Sequence, residues 1–122
     1  MVVRWSAGLP DAEADRIFHA LADTTRRDIL ARVIRAEQSV SALAQEYPMS
    51  FAAVQKHVAV LERAALVSKQ RRGKEQIVHA EVGVVRQAAE LLDRYEQLWR
   101  DRAAAIEEVL AHPAGRVEPD CR

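Results

Sequence analysis

One stretch of this chain constrains its fold more than any other: an amphipathic segment covering residues 83–111. Val85, Ala88, Leu91, Leu92, Tyr95, Leu98, Trp99, Ile106 and Leu110 recur there at helical spacing. At a rise of about 1.5 Å per residue, a helix that long exceeds roughly 40 Å. The whole chain has 122 residues, which is one domain by ordinary size. A domain that small cannot cover so long a helix along its full length. Part of the stripe therefore needs a partner outside its own chain, and a second copy is the simplest. The competing reading is core packing within one chain. Phe18, Tyr95 and Trp99 could also line an apolar pocket between two chains.

Upstream, the periodicity predicts four more helices and a hairpin. Asp11 can cap a helix over residues 12–22, whose apolar positions include Ile17, Phe18 and Leu21. Asp23 or Thr24 can cap the next, over residues 25–36, with Ile29, Leu30, Val33 and Ile34 facing inward. Residues 39–41 read as a short polar link that can cap a brief helix at 42–47. Pro48 stops it, because the residue before proline is pushed out of helical space. Ser50 then caps a helix over 51–64. Its inward set is Val54, Val58 and Leu61 with Phe51 or Ala65, and its outward set is Ala52, Ala53, Gln55, Lys56 and Ala59. Two β-capable runs follow, 66–72 and 76–81, around a tip of Arg71, Arg72, Gly73, Lys74 and Glu75. The expected class is mainly α with a small β-hairpin. Residues 1–10 read as an arm, 11–111 as the folded domain, and 112–122 as a loose tail.

Charge is distributed unevenly. The formal net charge is zero, yet residues 56–75 hold six basic side chains against two acidic ones. Residues 87–111 hold three basic against six acidic. What matters for phosphate contact is a local basic face, and the first window supplies one. The single cysteine, Cys121, cannot form an intramolecular disulfide, which suits a reducing compartment. No apolar run is long enough to span a membrane, and the N-terminus lacks a secretory layout, so cytoplasm is expected.

A short helix, a tight turn and a capped second helix make the geometry that lets one helix enter a major groove while its neighbour braces it. The hairpin then acts as a wing. Ala52 and Ala53 are small enough for close approach to base edges. Gln55 can pair bidentately with adenine, and Lys56 can reach guanine or a phosphate. Ser50 and the free N–H groups beside it suit a phosphate. Thr25, Arg26 and Arg27 could clamp the flanking backbone, with Arg71, Arg72 and Lys74 reaching it from the wing. His57 either borders the reading face or packs on the hairpin. The expected partners are double-stranded DNA and a second copy of the chain, with no membrane and no identified effector.

Several runs then resemble the ArsR family of winged-helix regulators. They are Phe18 through Arg27, Ser41-Ala42-Leu43-Ala44, Val54 through Leu61, and Leu66-Val67 before the basic hairpin. The likeness covers about Asp15 to Ala104. It implies a homodimer that binds an inverted repeat near a promoter, usually as a repressor. It also implies a dimer interface formed by the first and last helices, here Ile17, Phe18, Leu21, Leu91, Leu92, Tyr95, Leu98, Trp99 and Ile106. Many relatives sense metal through cysteines on the helix that here covers 42–47, where this chain has none. Others use acids and histidines on the last helix, where this chain has no histidine between Ala80 and Ala111. The resemblance therefore points to the metal-independent branch, with no cofactor. Ala65 stands where relatives usually end the helix with glycine, so a differently arranged turn is expected.

The other function classes are poorly supplied. No nucleophile stands with a base, and no glycine loop could cradle a phosphate, so an enzyme is not expected. His19, His79 and His112 are scattered and read as structural or exposed. A winged-helix module that binds protein, or a metal-responsive repressor with a non-standard site, are the alternatives.

Overall fold

A computed structural model describes residues 8–112. Most of the expected arm and tail, Cys121 included, lies outside the described residues. The elements are α1 (Asp11–Leu21), α2 (Thr24–Arg35), β1 (Gln38–Ser39), α3 (Val40–Ala44), α4 (Phe51–Arg63), β2 (Val67–Arg72), β3 (Glu75–Ala80) and α5 (Val82–Ala111).

The N-cap of α1 is Pro10, not Asp11, which is already the first helical residue. Proline suits the place because its fixed φ and missing N–H conflict with nothing just outside a helix. The Pro10 carbonyl accepts from Ala14 N at 2.9 Å. Asp11 and Glu13 then lie in the first turn, where the helix dipole favours acids. Asp23 caps α2, its carboxylate accepting from Arg26 N at 3.0 Å.

The link expected at 39–41 is partly strand and partly helix. Gln38 and Ser39 pair with Val78 and Ile77, giving a three-stranded antiparallel sheet in the order β1-β3-β2. A strand of two residues is too short to show alternation, so the sequence carries no sign of it. Ser39 caps α3 by accepting from Ala42 N at 3.0 Å. The helix starts at Val40, two residues before the expected start, because that side chain fills the core at 5% exposure. It also ends sooner. Gln45 N and Glu46 N turn back to the carbonyls of Ala42 and Leu43, tightening the chain before Pro48 is reached.

Helix α4 begins as expected, with the Ser50 hydroxyl accepting from Ala53 N at 3.1 Å. Val54, Val58 and Leu61 are completely buried, alongside Leu43 of α3, Ile29 of α2 and Val78 of the sheet. Phe51 is a correction: it is 47% exposed and belongs to the outer surface.

The turn out of α4 departs from expectation in the other direction. Ala65 N donates to Glu62 O and Leu66 N donates to Leu61 O, the two bonds of a Schellman motif. Ala65 takes the left-handed conformation, φ 61°, that glycine usually supplies. Buried Leu66 and Leu61 hold it there. Relief of that strain predicts that Ala65→Gly raises stability by up to ~1 kcal/mol, read as a higher Tm. An unchanged or lower Tm would contradict it.

Strands β2 and β3 pair from Val67↔Ala80 to Arg72↔Glu75. The connection is Gly73-Lys74 alone, with Gly73 at φ 65°, so Arg71, Arg72 and Glu75 belong to strands rather than to the tip. A glycine at positive φ in the first loop position fits a type II′ turn.

Helix α5 is 30 residues long, about 45 Å. Only Ala88 and Leu91 along it are buried, with Val84 and Val85 packed partly against the core. Beyond them Leu92, Tyr95, Leu98, Trp99 and Ile106 stand 45–60% exposed. Two residues expected at a chain–chain interface are corrected here. Ile17, at 1% exposure, and Leu91, at 6%, belong to the core of their own chain. Phe18 and Leu21 are partly buried against that core. The stripe on α1 and the early stripe on α5 turn inward because the core needs them.

Candidate nucleic-acid interface

Helices α3 and α4 form a short-helix, turn, longer-helix pair, and α4 offers one face to solvent. Ala52, Gln55 and Lys56 are exposed on that face, Ser50 is exposed at its start, and Ala53 is half-buried beside them. Lys69 of β2 pairs with Glu62 of α4 at 3.3 Å, which ties the ribbon to the helix. Farther along the ribbon, Arg71 and Lys74 are exposed and make no ion pair among the described residues.

Arg72 differs from these two. Its Nη1 meets Glu37 Oε2 at 2.8 Å, and this bond holds the Glu37 carboxyl below the usual carboxylate range. His79 Nδ1 meets the other oxygen of Glu37 at 2.9 Å, while its Nε2 faces Gln70 Oε1 at 3.1 Å. Glu37 thus anchors the wing to the loop before β1. Its partners lie 35 and 42 residues away in sequence, beyond the reach of any local pattern.

Three residues at the start of α2 were candidates for a backbone clamp. Thr25 is half-buried there. Arg26 turns back onto α1: Nε donates to Ala20 O at 2.8 Å and Nη2 donates to His19 O at 3.0 Å. Its Nη1 lies 3.4 Å from His57 Nδ1 on α4. Arg27 is exposed, and its Nη1 donates to Leu21 O at 2.7 Å. Both guanidiniums therefore satisfy the orphan carbonyls at the end of α1, where cations also complement the dipole. His57 faces this α2 start and not the hairpin. Asp23 Oδ2 stands 3.8 Å from it. The backbone N–H of Arg26, opposed by partial desolvation, keeps Asp23 below the usual carboxylate range.

A second brace joins α2 to the turn of the helix pair, through residues whose spacing carries no pattern. The Tyr47 hydroxyl donates to Asp28 Oδ2, and Arg32 Nε donates to the same oxygen at 2.9 Å. Arg32 also lies over the Tyr47 ring, 5.5 Å from its centroid, and reaches Glu46 Oε1 at 3.4 Å. Tyr47 and then Arg32 hold the Asp28 carboxyl below its ordinary range. Burial, helped by the Asp28 hydrogen bond, pushes the Tyr47 phenol up to about 12. Tyr47 keeps its proton and so remains a donor that fixes the turn in front of α4.

Among the described residues, no group of three or more histidines, cysteines or acids is placed to hold a metal ion. No helix among them is long and apolar enough to cross a membrane.

A braced helix pair with a basic two-stranded ribbon at its side defines a winged helix-turn-helix protein. The chain belongs to the ArsR family of transcriptional regulators. It is 37% identical to an ArsR-like transcriptional regulator from Rhodococcus sp. RHA1, covering 80% of this chain and 92% of that one, with a TM-score of 0.71. The solution structure of a homodimeric winged helix-turn-helix DNA-binding domain from Mycobacterium bovis, a possible ArsR-family regulator, matches with a TM-score of 0.60. That match is 25% identical over 83% of this chain and 88% of that one. The HTH-type transcriptional regulator Rv2034 of Mycobacterium tuberculosis is 42% identical over 59 residues, which span 48% of this chain and 55% of that protein. No protein-family model matches the chain. As a transcriptional regulator it is not an enzyme.

Proposed function

We propose that this chain is a sequence-specific DNA-binding repressor that works in the cytoplasm as a homodimer on an inverted repeat near a promoter. The observation that carries the reading is the exposed face of Ala52, Gln55 and Lys56 beside a ribbon whose Arg71 and Lys74 make no ion pair among the described residues. In the proposed complex the two α4 helices enter successive major grooves about 34 Å apart. Gln55 and Ala53 touch base edges. Lys56, Arg71 and Lys74 hold phosphates, with Ser50, Thr25 and Arg27 at the flanks. Arg72 joins them by exchanging Glu37 for a phosphate. Arg26 and His57 brace α4 against the end of α1, consistent with their contacts. The core draws on buried residues from Leu9 to Leu91, and the exposed half of α5 pairs with its copy. The metal-independent branch is part of the proposal, because α3 carries no cysteine.

Gln55 provides the test. Binding by the wild type and Gln55→Ala is compared across a panel of single-base operator variants. The loss of one bidentate contact per half-site removes about 1–3 kcal/mol of discrimination at a single position, with other positions unchanged. An identical preference profile in the two proteins would remove Gln55 from the reading face. A stable protein partner, with no DNA preference at all, would favour the protein-binding module instead.

A further inference from the structure

Away from the DNA-facing surface, a cavity of about 210 Å³ opens where α1, the end of α4 and the start of α5 meet. Glu13, Arg16 and Ile17 line it from α1, Arg63 from α4 with Ala64 at its C-cap, and Val84 and Gln87 from α5. Ile17 and Ala64 are buried and Val84 is half-buried, so the floor is apolar. Arg16 and Arg63 are exposed at its edge, and neither has a hydrogen bond or ion pair among the described residues. Glu13 lies one turn before Arg16 on the same helix, yet the two form no ion pair. The lining thus holds two guanidiniums without a partner among the described residues, one carboxylate and the Gln87 amide, over apolar side chains.

That combination selects a ligand class. Guanidinium groups match a carboxylate bidentately, more tightly than they match neutral acceptors. An inorganic anion would leave the apolar floor unused, and an uncharged compound would leave both arginines unpaired. The dipole at the C-terminus of α4 opposes an anion by roughly half an elementary charge. Its last carbonyls, however, already accept from the N–H groups of Ala64, Ala65 and Leu66, and two full positive charges outweigh the remainder. The volume lies below the roughly 300–1,000 Å³ of sites for drug-sized ligands, so the occupant is small. We propose that this cavity binds a small organic monocarboxylate, with Arg16 and Arg63 on the carboxylate and its apolar body against Ile17, Ala64 and Val84.

Ala65, the left-handed hinge between α4 and β2, also lines the cavity. Occupancy would therefore bear on the angle between α4, α1 and α5. That consequence rests on the DNA reading, whereas binding itself does not, so the test reads binding alone. Isotope-labelled full-length chain is titrated with benzoate and hexanoate, then with benzamide and sodium sulfate at matched ionic strength, and followed by amide NMR. The expected result is saturable shifts at Ala64, Ala65, Val84 and Gln87 with the carboxylates. Benzamide and sulfate should bind at least about tenfold more weakly. Arg16→Gln combined with Arg63→Gln should weaken the carboxylates by a similar factor while leaving thermal unfolding unchanged, since both side chains are exposed. Absence of saturable shifts with both carboxylates would overturn the proposal. So would an equal response to benzamide or sulfate, or undiminished binding by the double variant.

Discussion

A chain carrying Leu98→Glu and Trp99→Glu is expected to sediment as one copy where the wild type sediments as two. Both side chains stand about half or more exposed on α5, at 47% and 60%, so neither supports its own core. They lie at the middle of a stripe that continues through Leu92, Tyr95, Ile106 and Leu110, all 45–71% exposed. A contiguous apolar face of that length is uncommon on a monomer and marks an association surface. Two glutamates there would face their symmetry copies across a twofold axis, placing four like charges in a desolvated seam. The core formed by α1 to α4 and the sheet should stay intact, seen as unchanged amide dispersion for β2 and β3. DNA affinity should fall by at least about a hundredfold, because two half-sites read by one linked pair gain roughly 10²–10⁴ over separate chains. A variant that remains a dimer would move the seam elsewhere. A variant that becomes a monomer and keeps full affinity would show that pairing contributes nothing to recognition.

The largest loss of stability is expected from Leu61→Ala. Leu61 is fully buried, lies on the inner face of α4 and provides the carbonyl that closes the turn at Leu66. Truncating it opens a cavity bordered by side chains on several elements, and such changes cost about 2–5 kcal/mol. With a total stability of roughly 5–15 kcal/mol, a loss near 3 kcal/mol should lower the Tm by about 10 °C or more at fixed protein concentration. Gln55→Ala, six residues earlier on the exposed face, should leave the Tm within about 1 °C of wild type. A small shift for Leu61→Ala would mean that α4 is not anchored through its inner face.

Those two helix faces also show what was legible in the residues alone. Val54, Val58 and Leu61 repeat at helical spacing and are preceded by Pro48 and the capping Ser50, so position, start and inner face of α4 could all be read. The hairpin around Gly73 and the length of α5 were equally plain. What could not be read depends on contacts between distant residues. The strand at Gln38 exists only because Val78 lies opposite it. Tyr47 meets Asp28, and Glu37 meets Arg72 and His79, through the fold and not through any spacing. Periodicity also cannot say what faces a stripe. It put Ile17 and Leu91 with Tyr95 and Trp99, whereas the first two are filled by their own chain and the last two are not. In the candidate interface the same limit applies to arginines. Arg26, Arg71 and Arg72 look alike in sequence, yet one closes the end of α1, one has no ion pair among the described residues and one holds Glu37.

The distinction between those arginines leads to the most direct test of the account. Its centre is that α4 and the wing, each present twice, hold a duplex through their free cations. The measurement is operator affinity against salt concentration for the wild type and for Arg71→Ala. With Lys56, Arg71, Arg72, Lys74 and Arg27 on phosphates in both copies, log K should fall with log[salt] at a slope of about −9, and Arg71→Ala should flatten it by about two. A wild-type slope near zero, or one that Arg71→Ala leaves unchanged, would contradict the account.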